Sequence, residues 1–552
     1  MLSLIAANHV AAANQYDMTV RVDAAKRTMR VEGRVTFIAG DGFHLILSKR
    51  MRNVRFELVE PAGLVVDHRG SHERGGNAVW TFRTGKRDSE GSRVTMAFGY
   101  DGSGETTNQY HIGPEVSFAS AFGTDWYPAV DTSEARGVGR LRFYVEPAHD
   151  VVASGRRVAD RRTVSHRVID YHVQYATYFA FVAGAFHVHE RSAAVPLKAY
   201  LLSERNNAGT WLDGVAAIVA VLQKEFGTYP FEELSFVEIP RDVATAASFN
   251  AAALQGFILL NHRSLDVPDI SLLWEWIAHE VGHMWFPHYV SFTRPGGRFM
   301  EEALAQYGAQ RVVEALGGSD LARQSRISGY PPDPIYSATA YFRLVDGGID
   351  HPIGALQRLP GHSDLAYTKG SMVFHMLSRS VGRERFRDAL RKTTNASPYQ
   401  TMPWWKFLSE LERHAAVDLS AFYDQWFHRV GAPSWTFTWR NVDQAVEVTI
   451  RQTEPAYTLD LPIRVTVQDG AIVETEIRVV SSEETHLIPS IPAINVELDP
   501  DFHVLHRPNA VPSEKVGKMR QVLERLGSYT ERRHEFSREL KALPRRPSDH
   551  GR

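Results

Sequence analysis

None of the 552 residues is a cysteine. Disulfides, thiolate metal sites and cysteine nucleophiles are therefore excluded, and any metal must be held by nitrogen and oxygen. Long hydrophobic runs are missing as well: no segment reaches the roughly 18 to 20 apolar residues that a membrane span needs. Nor is there an excess of charge of one sign. Lys and Arg number 62 against 64 Asp and Glu, giving a net charge of −2 and a pI near 6.9, so there is no electrostatic reason to expect nucleic acid or an anionic membrane as partner. The N-terminal "MLSLIAANHVAAANQ" has neither a basic start nor an unbroken apolar core, so it reads as mature sequence and the expected location is cytoplasmic.

What is present is ordinary folded-protein composition, 43% hydrophobic and 23% charged, with no internal repeat. A chain of this length exceeds a single hydrophobic core. Residues 1–200 alternate with period two, as in "YDMTVRVD" (Met18, Val20, Val22) and "RVEGRVTFIA" (Val31, Val35, Phe37), which predicts an antiparallel β domain. From 201 to 432 the period becomes helical, as in "SLLWEWIAHEVGHMWF" and "EEALAQYGAQRVVEALGG". Alternation returns over 433–507 in "AVEVTIRQ" and "VETEIRVV", predicting a small β domain, and 508–552 reads as a charged helical tail.

The stretch "IAHEVGHMWF" lies in the helical region. On an α-helix, positions i and i+4 share a face, so His279 and His283 can direct imidazoles at one ion while Glu280 sits within reach of water on it. Asp269 is a suitable N-cap, and Ile270, Leu273, Trp274, Ile277, Val281 and Met284 form a stripe with Leu272, Trp276 and Phe286 opposite. Such a helix is buried, and buried histidines and carboxylates require partners. With 24 histidines in the chain, about 0.06 chance matches to this five-residue pattern are expected, so a third ligand is the test. A catalytic zinc takes three protein ligands and leaves one position open. After eighteen intervening residues comes Glu302, in "FMEEALAQY". The rival pattern HExxHxxGxxH fails, because Phe286 and Tyr289 occupy its glycine and histidine positions and His288 is one residue off; no G-x-S-x-G elbow occurs either.

These residues resemble the aminopeptidase N-type gluzincins, a family of zinc peptidases that includes leukotriene hydrolase. Its signature is HExxH, eighteen residues, then glutamate, here "HEVGHMWFPH…FMEEALAQY". The resemblance implies one Zn²⁺ per chain held by His279, His283 and Glu302, with Glu280 as general base and Glu301 an ordinary helix-start carboxylate. It also places Tyr367 of "AYTKGSMVFHML", 65 residues after Glu302, as a donor to the oxyanion. Further similarities are "YFAFVAGAF" and "FYDQWFHRVGAPSW", and the resemblance runs over about residues 15 to 505. The implied fold class is α+β multidomain: an N-terminal antiparallel β domain, a thermolysin-like helical catalytic domain, and a small C-terminal β-sandwich-like domain with a short helical tail.

One family motif is degenerate. The exopeptidase motif GxMEN carries a glutamate that grips the substrate's α-ammonium, but "SFNAAALQGFILLNHR" puts Ala253 there, or Gln255 in a shifted register. Neither is a carboxylate, and Asp242 and Asp266 are too distant to substitute. A charge-assisted hydrogen bond of about 1.5 to 3 kcal/mol is lost, so preference for free N-termini should weaken. Asp125 is a candidate second anchor. The large C-terminal helical domain of many relatives is replaced by about forty residues, which implies a more open cleft. The expectation is a zinc metallopeptidase acting on a peptide or amide substrate with altered recognition of its N-terminus; the alternatives are a specialised zinc amide hydrolase of a biosynthetic pathway and a non-catalytic binding scaffold.

Overall fold

The computed structural model of the chain describes residues 14–507, apart from 62–65, 85–91, 121–124, 132–136, 248–249, 268, 331–335, 358, 360 and 491. The expected tail, 508–552, lies outside the described residues. The chain forms two compact units that interleave in sequence. The first takes the residues up to Ala216, then Tyr229–Asp266 and Pro287–Tyr289; the second takes Ala217–Thr228, Val267–Phe286 and everything from Val290.

In the first unit, Asn14–Asp23 pairs antiparallel with Thr28–Ala39, matching Val20 to Val31. Period-two alternation sends Met18, Val20, Val22, Val31, Val35 and Phe37 to one side, where they join a single buried core. These two strands sit within a seven-stranded sheet, in which Gly137–Val145 runs parallel to the first strand. Two four-stranded sheets complete the β region. A five-stranded sheet follows in the order His187–Arg191, Leu197–Leu201, Leu234–Ile239, Phe257–Asn261, Ala251–Leu254. Its three inner strands are parallel and both edge strands antiparallel. The inner strand "FILLN" is buried at every residue, as a strand covered on both faces requires.

The second unit is built on helices α1 (Trp274–Gly282), α2 (Gly297–Gly317), α3 (Ser319–Ser328) and α4 (Ser371–Val381). The Asp269 cap is present, its side chain accepting from the Ser271 amide, but it opens a 3₁₀ turn, Ile270–Leu273, that leads into α1. All α1 residues from Glu275 to Gly282 are buried. Helix α2 begins four residues before Glu301, so Glu302 lies on its second turn and does not open it. Two glycines allow α2 to be approached closely. A Cβ on Gly282 would lie 3.0 Å from the Ala305 Cα, and one on Gly370 would lie 2.7 Å from the Ala303 Cβ. The unit also contains two three-stranded sheets, Trp435–Val442 with Ala445–Gln452 and Glu483–Pro489, and Ile472–Val479 with Leu459–Val467 and Ala493–Leu498. Arg326 of α3 is buried and donates to the carbonyls of Phe502 and Asp501. Among the described residues no helix is long and apolar enough to cross a membrane.

Candidate metal centre

His279 lies in the last turn of α1 and His283 caps the helix one turn later, still in right-handed conformation, so both rings face the same way. The chain beyond is fixed by Trp285, whose indole N–H donates to the Thr228 carbonyl at 3.2 Å, and by Phe226, which packs edge-on against Trp285 and Phe286. Helix α2 brings Glu302 opposite. The Nε2 atoms of the two histidines are 3.1 Å apart, and each is 3.3 Å from Glu302 Oε2. Atoms about 2.0 to 2.1 Å from a zinc ion at tetrahedral angles lie about 3.3 to 3.4 Å from one another. The triangle therefore has the size of one face of such a site.

Hydrogen bonding fixes what these atoms offer. Nδ1 of His283 donates to the Phe286 carbonyl at 2.7 Å, and Nδ1 of His279 faces Gln306 Oε1 at 3.0 Å. The Gln306 amide is oriented by its own N–H₂, which donates to Glu275 at 2.7 Å. Glu275 in turn accepts from Ser325 Oγ at 2.7 Å and the Tyr330 amide at 3.0 Å. With each Nδ1 carrying the ring proton, both Nε2 atoms present lone pairs, and buried Glu302 Oε2 accepts no hydrogen bond from the described residues. Three lone pairs converging out of water repel one another unless a cation lies between them. The donor set fits a divalent metal of the zinc type, and among the described residues this is the only group of three such side chains positioned to hold one.

The surrounding charges agree. Burial alone would raise the Glu302 carboxyl, but Arg298 and His283 hold it well below its usual range. Burial opposes a second proton on His283, yet Glu302 and Glu280 raise its pKa to about 9, so the field between these side chains favours a cation at Nε2, a proton where no metal takes its place. Glu280 is 8% exposed, next to His279 in sequence. The ring of Tyr367 lies 5.4 Å from that of His279, on a π-helical turn, Ala366–Gly370, that leads into α4. Burial and Glu302 keep its phenol protonated well above its ordinary pKa. Glu301 is not the ordinary helix-start carboxylate expected: burial and the Glu302 charge push it up to about 7.

Ala253, Gln255 and Asp125 belong to the first unit. Ala253 is on the edge strand, and its carbonyl is 3.2 Å from His288 Nε2. Gln255 is held at both ends of its amide, donating to the Tyr175 carbonyl and accepting from the Thr177 amide. Asp125 is engaged by Asn77, and burial raises its carboxyl to about 6. Sequence reasoning missed Gln306, Glu275, Arg298 and Tyr336. The Tyr336 ring stacks on His279, 5.4 Å between centroids at 11°. Only Gln306 and Arg298 left a local signal, one helical turn after and before Glu302.

Residues 211–426 match the model of the peptidase family M1 domain. The chain is 22% identical over 343 residues to aminopeptidase N of Lactococcus lactis subsp. lactis, covering 57% of this chain and 38% of that protein. It is 23% identical over 377 residues to "Probable M1 family aminopeptidase 2" of Encephalitozoon cuniculi, covering 62% of this chain and 42% of that protein. The chain thus spans about two fifths of the length of these relatives. Among solved structures, Legionella pneumophila aminopeptidase A in complex with aspartic acid superposes with a TM-score of 0.67 at 14% identity, covering 97% of this chain and 64% of that one.

Proposed function

Since the chain belongs to the aminopeptidase N family of metallopeptidases, we propose that it hydrolyses peptide or amide bonds at a zinc ion held by His279, His283 and Glu302, with weakened demand for a free substrate N-terminus. The observation that carries this reading is the convergence of two imidazole nitrogens and one carboxylate oxygen 3.1 to 3.3 Å apart. Zinc at this triad supplies Lewis acidity that activates water and polarises a carbonyl. Glu280 takes the proton of the attacking water and returns it to the leaving nitrogen. Tyr367, kept protonated by its surroundings, donates to the carbonyl oxygen as negative charge develops there. Gln306 and Glu275 hold the His279 ring in the tautomer that leaves Nε2 free.

The weakened N-terminal preference is supported by the side chains where the exopeptidase glutamate belongs. Ala253 offers a methyl group, and the Gln255 amide is occupied by backbone. Neither supplies a negative charge for an α-ammonium.

The test is a peptide library offered with free and with acetylated N-termini to the zinc-loaded protein. Acetylated or internal bonds should be cut at rates comparable to free termini, and Glu280→Gln should lower the rate about 10²- to 10⁴-fold. Absence of stoichiometric zinc, or an equally active Glu280→Gln, would sink the hydrolase reading; strict removal of single residues from free termini would sink the altered-recognition part alone.

A further inference from the structure

Arg298 has no part in the roles assigned above, yet its guanidinium joins two helices at the metal centre. Its Nη2 is 2.9 Å from Glu302 Oε1 and donates to the Tyr367 hydroxyl at 3.4 Å, while Nε donates to Ser363 Oγ at 3.0 Å. Arg298 and Glu302 are one turn apart on α2; Ser363 and Tyr367 are four residues apart on the helical stretch leading into α4. The two helices approach closely where Gly370 meets Ala303 and Phe299. The fork thus reaches both elements at once, which lysine's single ammonium cannot do with the same directionality.

Two consequences follow from the donor-only chemistry of arginine. The outer oxygen of Glu302 is occupied by the Arg298 guanidinium, so only Oε2 faces the histidine nitrogens and would be offered to a metal held there. The Tyr367 oxygen accepts from Nη2, so its own hydrogen points away from the guanidinium, toward the Glu302 carboxylate, from which an incoming substrate oxygen would take it over.

Resting on the hydrolase reading above, we infer that Arg298 is a positioning residue that sets the single-oxygen ligation of Glu302 and aims the Tyr367 hydroxyl at the substrate carbonyl. It acts through both side chains. Outer partners of metal ligands typically change metal affinity by about 10- to 100-fold.

The experiment compares wild type, Arg298→Met, Arg298→Lys, Tyr367→Phe and the double variant Arg298→Met/Tyr367→Phe. The zinc dissociation constant is measured by competition with a chromophoric chelator, and kcat and KM on a peptide that wild type cleaves, with thermal unfolding as the check on folding. Arg298→Met should weaken zinc binding about 10- to 100-fold and, at saturating zinc, lower kcat about 10²-fold with KM within about threefold. Arg298→Lys should recover most of the zinc affinity but little of kcat. The double variant should be no slower than Tyr367→Phe within about twofold, because the arginine works on the oxyanion through that phenol. Unchanged zinc affinity in Arg298→Met, or rate losses that multiply in the double variant, overturns the inference. Should wild type itself bind no zinc, the hydrolase reading fails and this inference with it, a result distinct from the first two.

Discussion

His279, a ligand in the proposed metal site, shows how a side chain's presentation is decided by residues outside the triad. Its Nδ1 is held by Gln306, which Glu275 orients, which Ser325 and Tyr330 hold in turn. Gln306→Leu keeps the volume but removes the acceptor, freeing the ring to change tautomer. Zinc affinity should fall about 10- to 100-fold, measured by chelator competition; an unchanged affinity would show that packing against Tyr336 alone fixes the ring. This relay was illegible in the sequence because its members lie 27 to 55 residues apart. The three converging side chains themselves were legible: the two histidines through helical spacing, and Glu302 through a resemblance.

Among elements, α4 makes a second buried imidazole contact far from the metal centre in sequence. His375 Nε2 lies 3.1 Å from His503 Nδ1. Burial, then Arg326, Arg379 and Arg383, depress both rings, His503 to about 2 and His375 well below its usual value. Both stay neutral in the fold while the unfolded chain takes protons near pH 6.5. Their contribution is therefore complete above about 6.5 and is lost as pH falls below it, by about 1.4 kcal/mol per pH unit for each ring. Urea unfolding midpoints should drop from pH 7.5 to 5.5, and drop less in His375→Gln; equal drops would assign the acid sensitivity elsewhere. The element boundaries show a related limit of sequence reading. Asp269 was readable as a cap, but not that its first turn would be 3₁₀, because the same capping side chain serves either kind of turn.

For the whole molecule, the period-two and helical patterns gave β structure, then a mainly helical region, then β structure, because each periodicity reports which side of an element is buried, but they missed the strands Leu234–Ile239, Ala251–Leu254 and Phe257–Asn261 within that helical region. They could not give the interleaving of the two units, which passes the chain between them five times. Nor could they give the tie between α3 and the residues after the last strand. Arg326 donates to two carbonyls of that segment, and Arg323 to a third, Pro500. Arg326→Met strands two carbonyls in a buried place at about 1.5 to 3 kcal/mol each, so the melting temperature should fall by several degrees while zinc affinity holds. A variant that melts like wild type would show that water replaces the guanidinium there.

The π-helical turn at Ala366–Gly370 fits one more residue into a turn than an α-helix would hold. Tyr367 therefore depends on arithmetic as well as identity: removing Thr368 would restore a regular helix and rotate the phenol about 100° relative to everything downstream. Such a deletion would leave every residue named at the metal centre intact in type, and still erase the oxyanion donor.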